Sequence, residues 1–296
     1  MTIRMSPNLF GLLVTAAGVI VLSPDGLLVR LIAADSASLL FWRGLFFSTA
    51  IFAFYLLRYG AGKVVSLLTN MGRRGVIAAL FYSLSSVFFV LAITHTSIAN
   101  ALVIIATAPL FAAVFSWLFL KESVALHTWI AILVCIGGIS LIFMGSLGGG
   151  SRFGDFCALG AACMISGQFT TVRHAKDLDM VPSLGIAGLF MAAFALPFAT
   201  PLAVSGESFA YLALLGLVVL PVALALITLG PRYISAPEVS LLILLESILG
   251  PFWAWLALDE LPTQETVLGG TVVISTLIIH TALTLRRNRR LSRQAI

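Results

Sequence analysis

The chain has 296 residues, of which 60% are hydrophobic and only 10% charged, with a mean hydropathy of +1.10. A soluble domain carries about 45–50% apolar and about 25% charged residues, so a water-soluble enzyme, a disordered protein and a nucleic-acid binder are disfavoured together. Strands of a lipid-facing barrel would alternate apolar and polar residues, whereas these apolar runs are long and unbroken, and the formal net charge of +5 matters less by its sum than by where it falls along the chain.

The expected class is an all-α integral membrane protein. Apolar runs between Gly, Pro and charge clusters predict ten transmembrane helices. The spans run approximately over Leu9–Ile32, Ser36–Leu57, Gly75–Thr94, Ser97–Leu120, Thr128–Met144, Phe156–Val172, Pro182–Pro201, Phe209–Tyr233, Pro237–Leu258 and Thr266–Leu285. The apolar stretch after Arg4 outruns a signal peptide and lacks a cleavage site, so it is read as the first span. Interior prolines fall at Pro24, Pro109, Pro197, Pro221 and Pro251. Cys135, Cys157 and Cys163 all lie inside spans at irregular spacing, which suits packing better than a disulfide framework or metal site.

With a cytoplasmic N-terminus, the inner segments hold Arg4, Arg58, Lys63, Arg73, Arg74, Lys121, Arg173, Lys176, Arg232 and the tail Arg286, Arg287, Arg289, Arg290 and Arg293. Only Arg30 and Arg152 fall outside, and Arg43 lies within a span. That asymmetry predicts an even number of spans with both termini cytoplasmic, in the cell inner membrane, and it makes the basic tail an anchor at anionic lipid rather than a nucleic-acid arm.

The Gly- and Ser-rich run from Gly145 to Gly154 divides the chain into a first five-helix unit, residues 1–145, and a second, residues 146–296, which carries the tail. A shift of 138 positions aligns Ser97 with Ser235, Trp117 with Trp255, Leu120 with Leu258, Glu122 with Glu260 and Thr128 with Thr266. Because five is odd, a duplicated unit inserts with opposite polarity, so two inverted repeats in one integrated membrane domain are expected, as in alternating-access carriers.

The segment Ala99–Asn100, Pro109-Leu-Phe, Trp117-Leu-Phe-Leu-Lys-Glu122, Trp129 and Gly137–Gly138 resembles the EamA family of the drug/metabolite transporter superfamily. Pro237–Glu238, Leu258-Asp-Glu260 and Gly269–Gly270 resemble the same signature in the second half. Ser23-Pro24-Asp25-Gly26 through Arg30, followed by Phe41-Trp42-Arg43-Gly44, is most similar to the YddG-type branch of amino-acid exporters. The resemblance implies gradient-dependent export of small metabolites, with amino acids, aromatic ones included, as the leading class. Ser166 and Gln168 stand where the sixth helix of many members has a tryptophan.

An ionised side chain at the bilayer centre costs about 2.5–3.5 kcal/mol on insertion scales, so such groups face a cavity or a partner. Glu246 lies well inside the ninth span, with Gly250 and Trp253 on the same helical face. It is read either as the receiver of a substrate ammonium or coupling proton, or as a hydrogen-bonded packing residue. Arg43 and Asp25 are expected near the outer mouth as an ion pair, the alternative being that Arg43 grips a substrate carboxylate. Pro24 is either a hinge or a fixed kink. Tyr82, Ser85, Ser86 and Phe89 share one face of the third span; Tyr82 and Ser86 are expected to line the cavity and Ser85 to pack. Asn100 and Gln168 either orient substrate or bond between helices.

The expected function is a secondary transporter exporting amino acids and related small metabolites by alternating access. The alternatives are a carrier for a nucleotide-like or lipid-linked metabolite, which would want several cavity cations where only Arg43 is available, and a non-transporting scaffold. No ATP-binding motif and no paired nucleophile and base of an intramembrane enzyme are present. No cofactor is expected. The expected partners are a small-molecule substrate, a coupling proton and membrane lipids, without nucleic acid, in a monomer or homodimer. A stripe of Gly160, Cys163 and Gly167 and the pair Thr271 and Ser275 are expected at close helix contacts or a dimer face.

Overall fold

The computed structural model describes residues 6–96, 98–144, 151–204, 206–258 and 264–294. Among them the chain is helical wherever it is not turning. Helix α1 (Pro7–Leu22) starts on the Ser6 side chain, which accepts from the Leu9 N–H, with Pro7 in the first turn where no donor is needed. It stops at Ser23–Pro24, and α2 (Asp25–Leu31) resumes the path at once. The first predicted span is therefore two helices joined at a proline.

Helix α3 (Ser36–His95) opens on Asp35, whose Oδ1 accepts from the N–H groups of Ala37 and Ser38. It holds the second and third predicted spans in one helical path. Gly60 (φ 76°) and Gly72 (φ 49°) interrupt it with backbone angles that only glycine adopts cheaply, so rods of residues 36–59, 61–71 and 73–95 follow one another. The path of the fourth predicted span comprises α4 (Ile98–Ile105), α5 (Ala108–Phe115) and a π-helical turn over Ser116–Leu120. Then come α6 (Leu126–Ile142), α7 (Arg152–His174) and α8 (Pro182–Ala195). The eighth span is α9 (Glu207–Leu214), a π turn over Leu215–Val219 and α10 (Leu220–Leu229); the ninth is α11 (Ala236–Ile243) and α12 (Glu246–Leu258), and α13 (Gln264–Gln294) closes the fold.

Among the described residues, five helical paths are long and apolar enough to cross a bilayer: Pro7–Val29, Ser36–His95, Asn100–Leu120, Glu207–Arg232 and Gln264–Arg287. Leu126–Ile142 and Pro182–Phe198 are apolar but shorter. Leu126, Leu133, Phe156, Leu202 and Ile278 face outward, as expected where hydrocarbon replaces water.

Two features relate the halves. The interruption between α4 and α5 falls at Ala106 and Thr107, and that between α11 and α12 at Leu244 and Leu245. These are the positions that the 138-residue shift pairs. Packing is likewise exchanged: α1 lies against α10 and α11, whereas α7 lies against α3 and α4–α5, and α5 meets α11. At the crossing of α3 with α8, Gly44 and Gly188 face each other's backbone; a Cβ on Gly44 would stand 2.6 Å from the Gly188 carbonyl oxygen, and one on Gly188 2.5 Å from that of Gly44. Gly138 on α6 and Gly269 on α13 make a second crossing of this kind.

The predicted glycine stripe on α7 is occupied within the chain, Gly160 by the Phe88 ring and Gly167 by the Phe81 ring. Thr271 bonds the Val267 carbonyl of its own helix. Cys135 and Cys157 are buried and unbridged.

Candidate functional site

The break after α1 builds one side of the site. Pro24 removes a backbone donor and ends the helix, which places Asp25 in the first turn of α2, its side chain 12% exposed. Arg43 projects from α3 to meet it. Nη1 donates to Oδ1 and Nη2 to Oδ2, both at 2.9 Å, so the fork is fully bidentate. The other walls come from the third rod of the first half and from the broken helix of the second. Tyr82 is buried and packed near the Phe47 ring, with Ser86 one turn further along the helix, and it lies within electrostatic reach of Arg43. Glu246 opens α12 directly after the Leu244–Leu245 interruption and is within reach of both Asp25 and Arg43. It remains partly accessible. Trp253, two turns further on, donates Nε1 to Ser23 Oγ at 2.8 Å and so fastens α12 to the proline break.

Pro24, Asp25, Arg43, Tyr82, Ser86, Glu246 and Trp253 therefore meet where two interrupted helices face α3. Asn100 and Gln168 lie elsewhere. Asn100 donates to Thr96 Oγ1, which itself donates to Asp155 Oδ1 at 2.8 Å, in a network that ties α4 to the start of α7. Gln168 is fully buried on α7, and its Oε1 has no hydrogen-bond partner among the described residues. Ser85 donates to the Ala161 carbonyl and packs α3 on α7. Gly250, which sequence reasoning put beside Glu246, lies among residues whose side chains are not described.

A polar cavity of about 440 Å³ opens at the end of the bundle where α7 and α13 finish and α6 and α11 begin. The chain leaves the π turn at Lys121 in a left-handed conformation (φ 54°), which turns Glu122 back across the bundle. Glu122 Oε1 accepts from Arg173 Nε at 2.9 Å, and Arg173 Nη1 donates to the Pro231 carbonyl. Glu238 caps α11, its Oε2 accepting from both the backbone N–H and the hydroxyl of Ser235. His127 pairs with Thr284, and Thr128 with His280. Sequence reading placed Arg43 as the sole cavity cation. In the structure Arg43 is held by Asp25, as an ion pair, and it is Arg173 and Arg287 that line the cavity at the bundle end.

The EamA-like transporter family profile matches residues 7–144 and again residues 152–281, which is nearly the whole chain in two copies. The chain belongs to the EamA-like transporter family. It is 27% identical over 194 residues to the uncharacterized transporter YdfC of Bacillus subtilis, a match that spans 59% of each chain. A crystal structure of a protein, 15% identical, superposes with a TM-score of 0.79 over 92% of this chain and 98% of the other, which shows a shared fold.

By family this chain is an EamA-like membrane transporter. Among its described residues no three His, Cys, Asp or Glu side chains gather as a metal site. The cavity at the Arg173 end went unforeseen because Arg173 read only as a cytoplasmic charge, and Glu122 and Glu238 as parts of the family signature.

Proposed function

We propose that this carrier is a secondary exporter of amino acids, aromatic ones included, working by alternating access between two inverted five-helix units in the cytoplasmic membrane. Support comes from one observation above all. Glu246 stands free of a direct ion pair in the described structure, at a helix interruption, beside a bidentate Arg43–Asp25 pair and the Tyr82 phenol. A half-buried carboxylate next to an already neutralised cation suits a positive group, either a substrate ammonium or a proton. Tyr82, packed on the buried Phe47 ring, is the aromatic group nearest this pair. The helix interruptions supply backbone groups that a passing solute can use.

In this reading Arg43 and Asp25 hold α2 against α3 and set the field around Glu246. Rocking of one half on the other is carried by the glycine crossings of α3 with α8 and of α6 with α13, where backbones approach closely. The basic residues of the α7 end and of the α13 tail support a cytoplasmic placement of that end. Transport of radiolabelled amino acids into proteoliposomes, with and without an imposed pH gradient, tests the proposal. Saturable transport shifted by the gradient is expected. No transport of any amino acid in the panel would overturn the substrate class.

A further inference from the structure

The cavity at the Arg173 end has a lining that the exporter reading does not use. Glu122 and Glu238 face Arg173 and Arg287 across it, so two negative groups balance two positive ones. Among the described residues each glutamate spends a single oxygen on protein partners, Glu122 its Oε1 on Arg173 and Glu238 its Oε2 on Ser235. Ser116 also lines the cavity, fully buried, and its Oγ has no hydrogen-bond partner among the described residues. Helical serines ordinarily satisfy themselves on a carbonyl one turn back. Leaving such a hydroxyl unpaired is costly, so this position is kept polar for something that arrives.

A volume of about 440 Å³ lies within the range of small-molecule sites. A purely anionic solute would meet the two glutamates, and a purely cationic one the two arginines. A molecule with an ammonium and a carboxylate on one carbon satisfies both pairs and leaves the net charge of the cavity unchanged. We propose that this cavity is a second solute-binding site, which holds a zwitterionic α-amino acid at the bundle end before it reaches Glu246. The proposal rests on the amino-acid reading given above. Glu238 and Glu246 are eight residues apart along α11 and α12, roughly 12 Å at helical rise, so one molecule cannot occupy both places.

Equilibrium binding of radiolabelled phenylalanine and leucine to the purified full chain in lipid nanodiscs, counted per protein, tests this. Wild type is expected to bind two molecules and Glu246→Gln one. Ser116→Ala, which removes the unpaired hydroxyl and adds no atom to this buried position, is expected to keep its thermal stability and to weaken the second site at least tenfold. Ser123→Trp, on the exposed turn at the cavity mouth, is expected to remove the same site by filling it. A single site in wild type that Glu246→Gln removes and neither serine variant alters would overturn the second site and leave the exporter reading standing. A site lost in the serine variants but unchanged in Glu246→Gln would support the cavity and count against the role of Glu246. Binding of neither amino acid at either place would overturn both.

Discussion

Arg43 and Asp25 show how much a single pair carries in this protein. Both side chains are nearly buried and share two hydrogen bonds, so removing one partner strands a charge in a low-dielectric setting, a loss of about 3–5 kcal/mol in comparable buried pairs. Arg43→Ala is expected to lower thermal stability in detergent strongly, and Arg43→Ala with Asp25→Ala to recover part of the loss, as a double-mutant cycle of unfolding temperatures would show. Absence of rescue would mean that Arg43 acts on something other than Asp25. Asp35 gives a gentler case outside the bilayer. Hydrogen bonds from Ser38 and from the start of α3 hold its carboxyl below the usual range. A lowered carboxyl contributes stability above its unfolded value near about 3.9 and loses it as pH falls through the folded value. Asp35→Ala is therefore expected to cost about 0.5–1 kcal/mol at neutral pH, the low end for a cap because the residue is exposed. The gap from wild type should close in unfolding measurements taken below roughly pH 4; a gap that persists there would assign the loss to packing.

Helix interruptions set the shape of the site, and the sequence announced them unevenly. Pro24 was legible, because a missing donor within an apolar run has a local cause. The break at Leu244–Leu245 was not, since two leucines favour helix and nothing local marks the turn; α11, which ends there, packs on α5 and α7. The 138-residue shift aligned the paired breaks without revealing that breaks were there. Glycines at Gly60 and Gly72 read as loop, yet they bend one helical path twice. Crossings depend on glycine in another way. Gly188→Ala would put a methyl group 2.5 Å from a backbone oxygen of α3, an obstacle that no rotamer change relieves. We expect a cost of about 1–3 kcal/mol from the forced separation of α3 and α8, seen as a lower unfolding temperature and reduced transport. Gly62→Ala, which meets nothing within 4 Å, serves as the control and is expected to be silent in both measurements.

Across the molecule, the duplicated family match, the exchanged packing and the paired breaks describe one fold made of two related halves. Composition and charge made the membrane class and the repeat legible, because lipid penalises every stray polar group. The same penalty made Glu246 and Arg43 visible as candidate site residues. It hid Glu122, Arg173 and Glu238, since charges at helix ends cost little there and need no special explanation. Gln168 was visible as a polar residue in lipid but not as an unsatisfied one, which depends on neighbours brought in by folding.

The measurement that bears most directly on the exporter reading is amino-acid counterflow in proteoliposomes holding either wild type or Glu246→Gln, each with and without an imposed pH gradient. Wild type is predicted to show saturable transport that the gradient shifts, and Glu246→Gln, folded and reconstituted equally well, to lose transport or its response to the gradient. Undiminished, gradient-sensitive transport by Glu246→Gln would contradict the role given to this carboxylate.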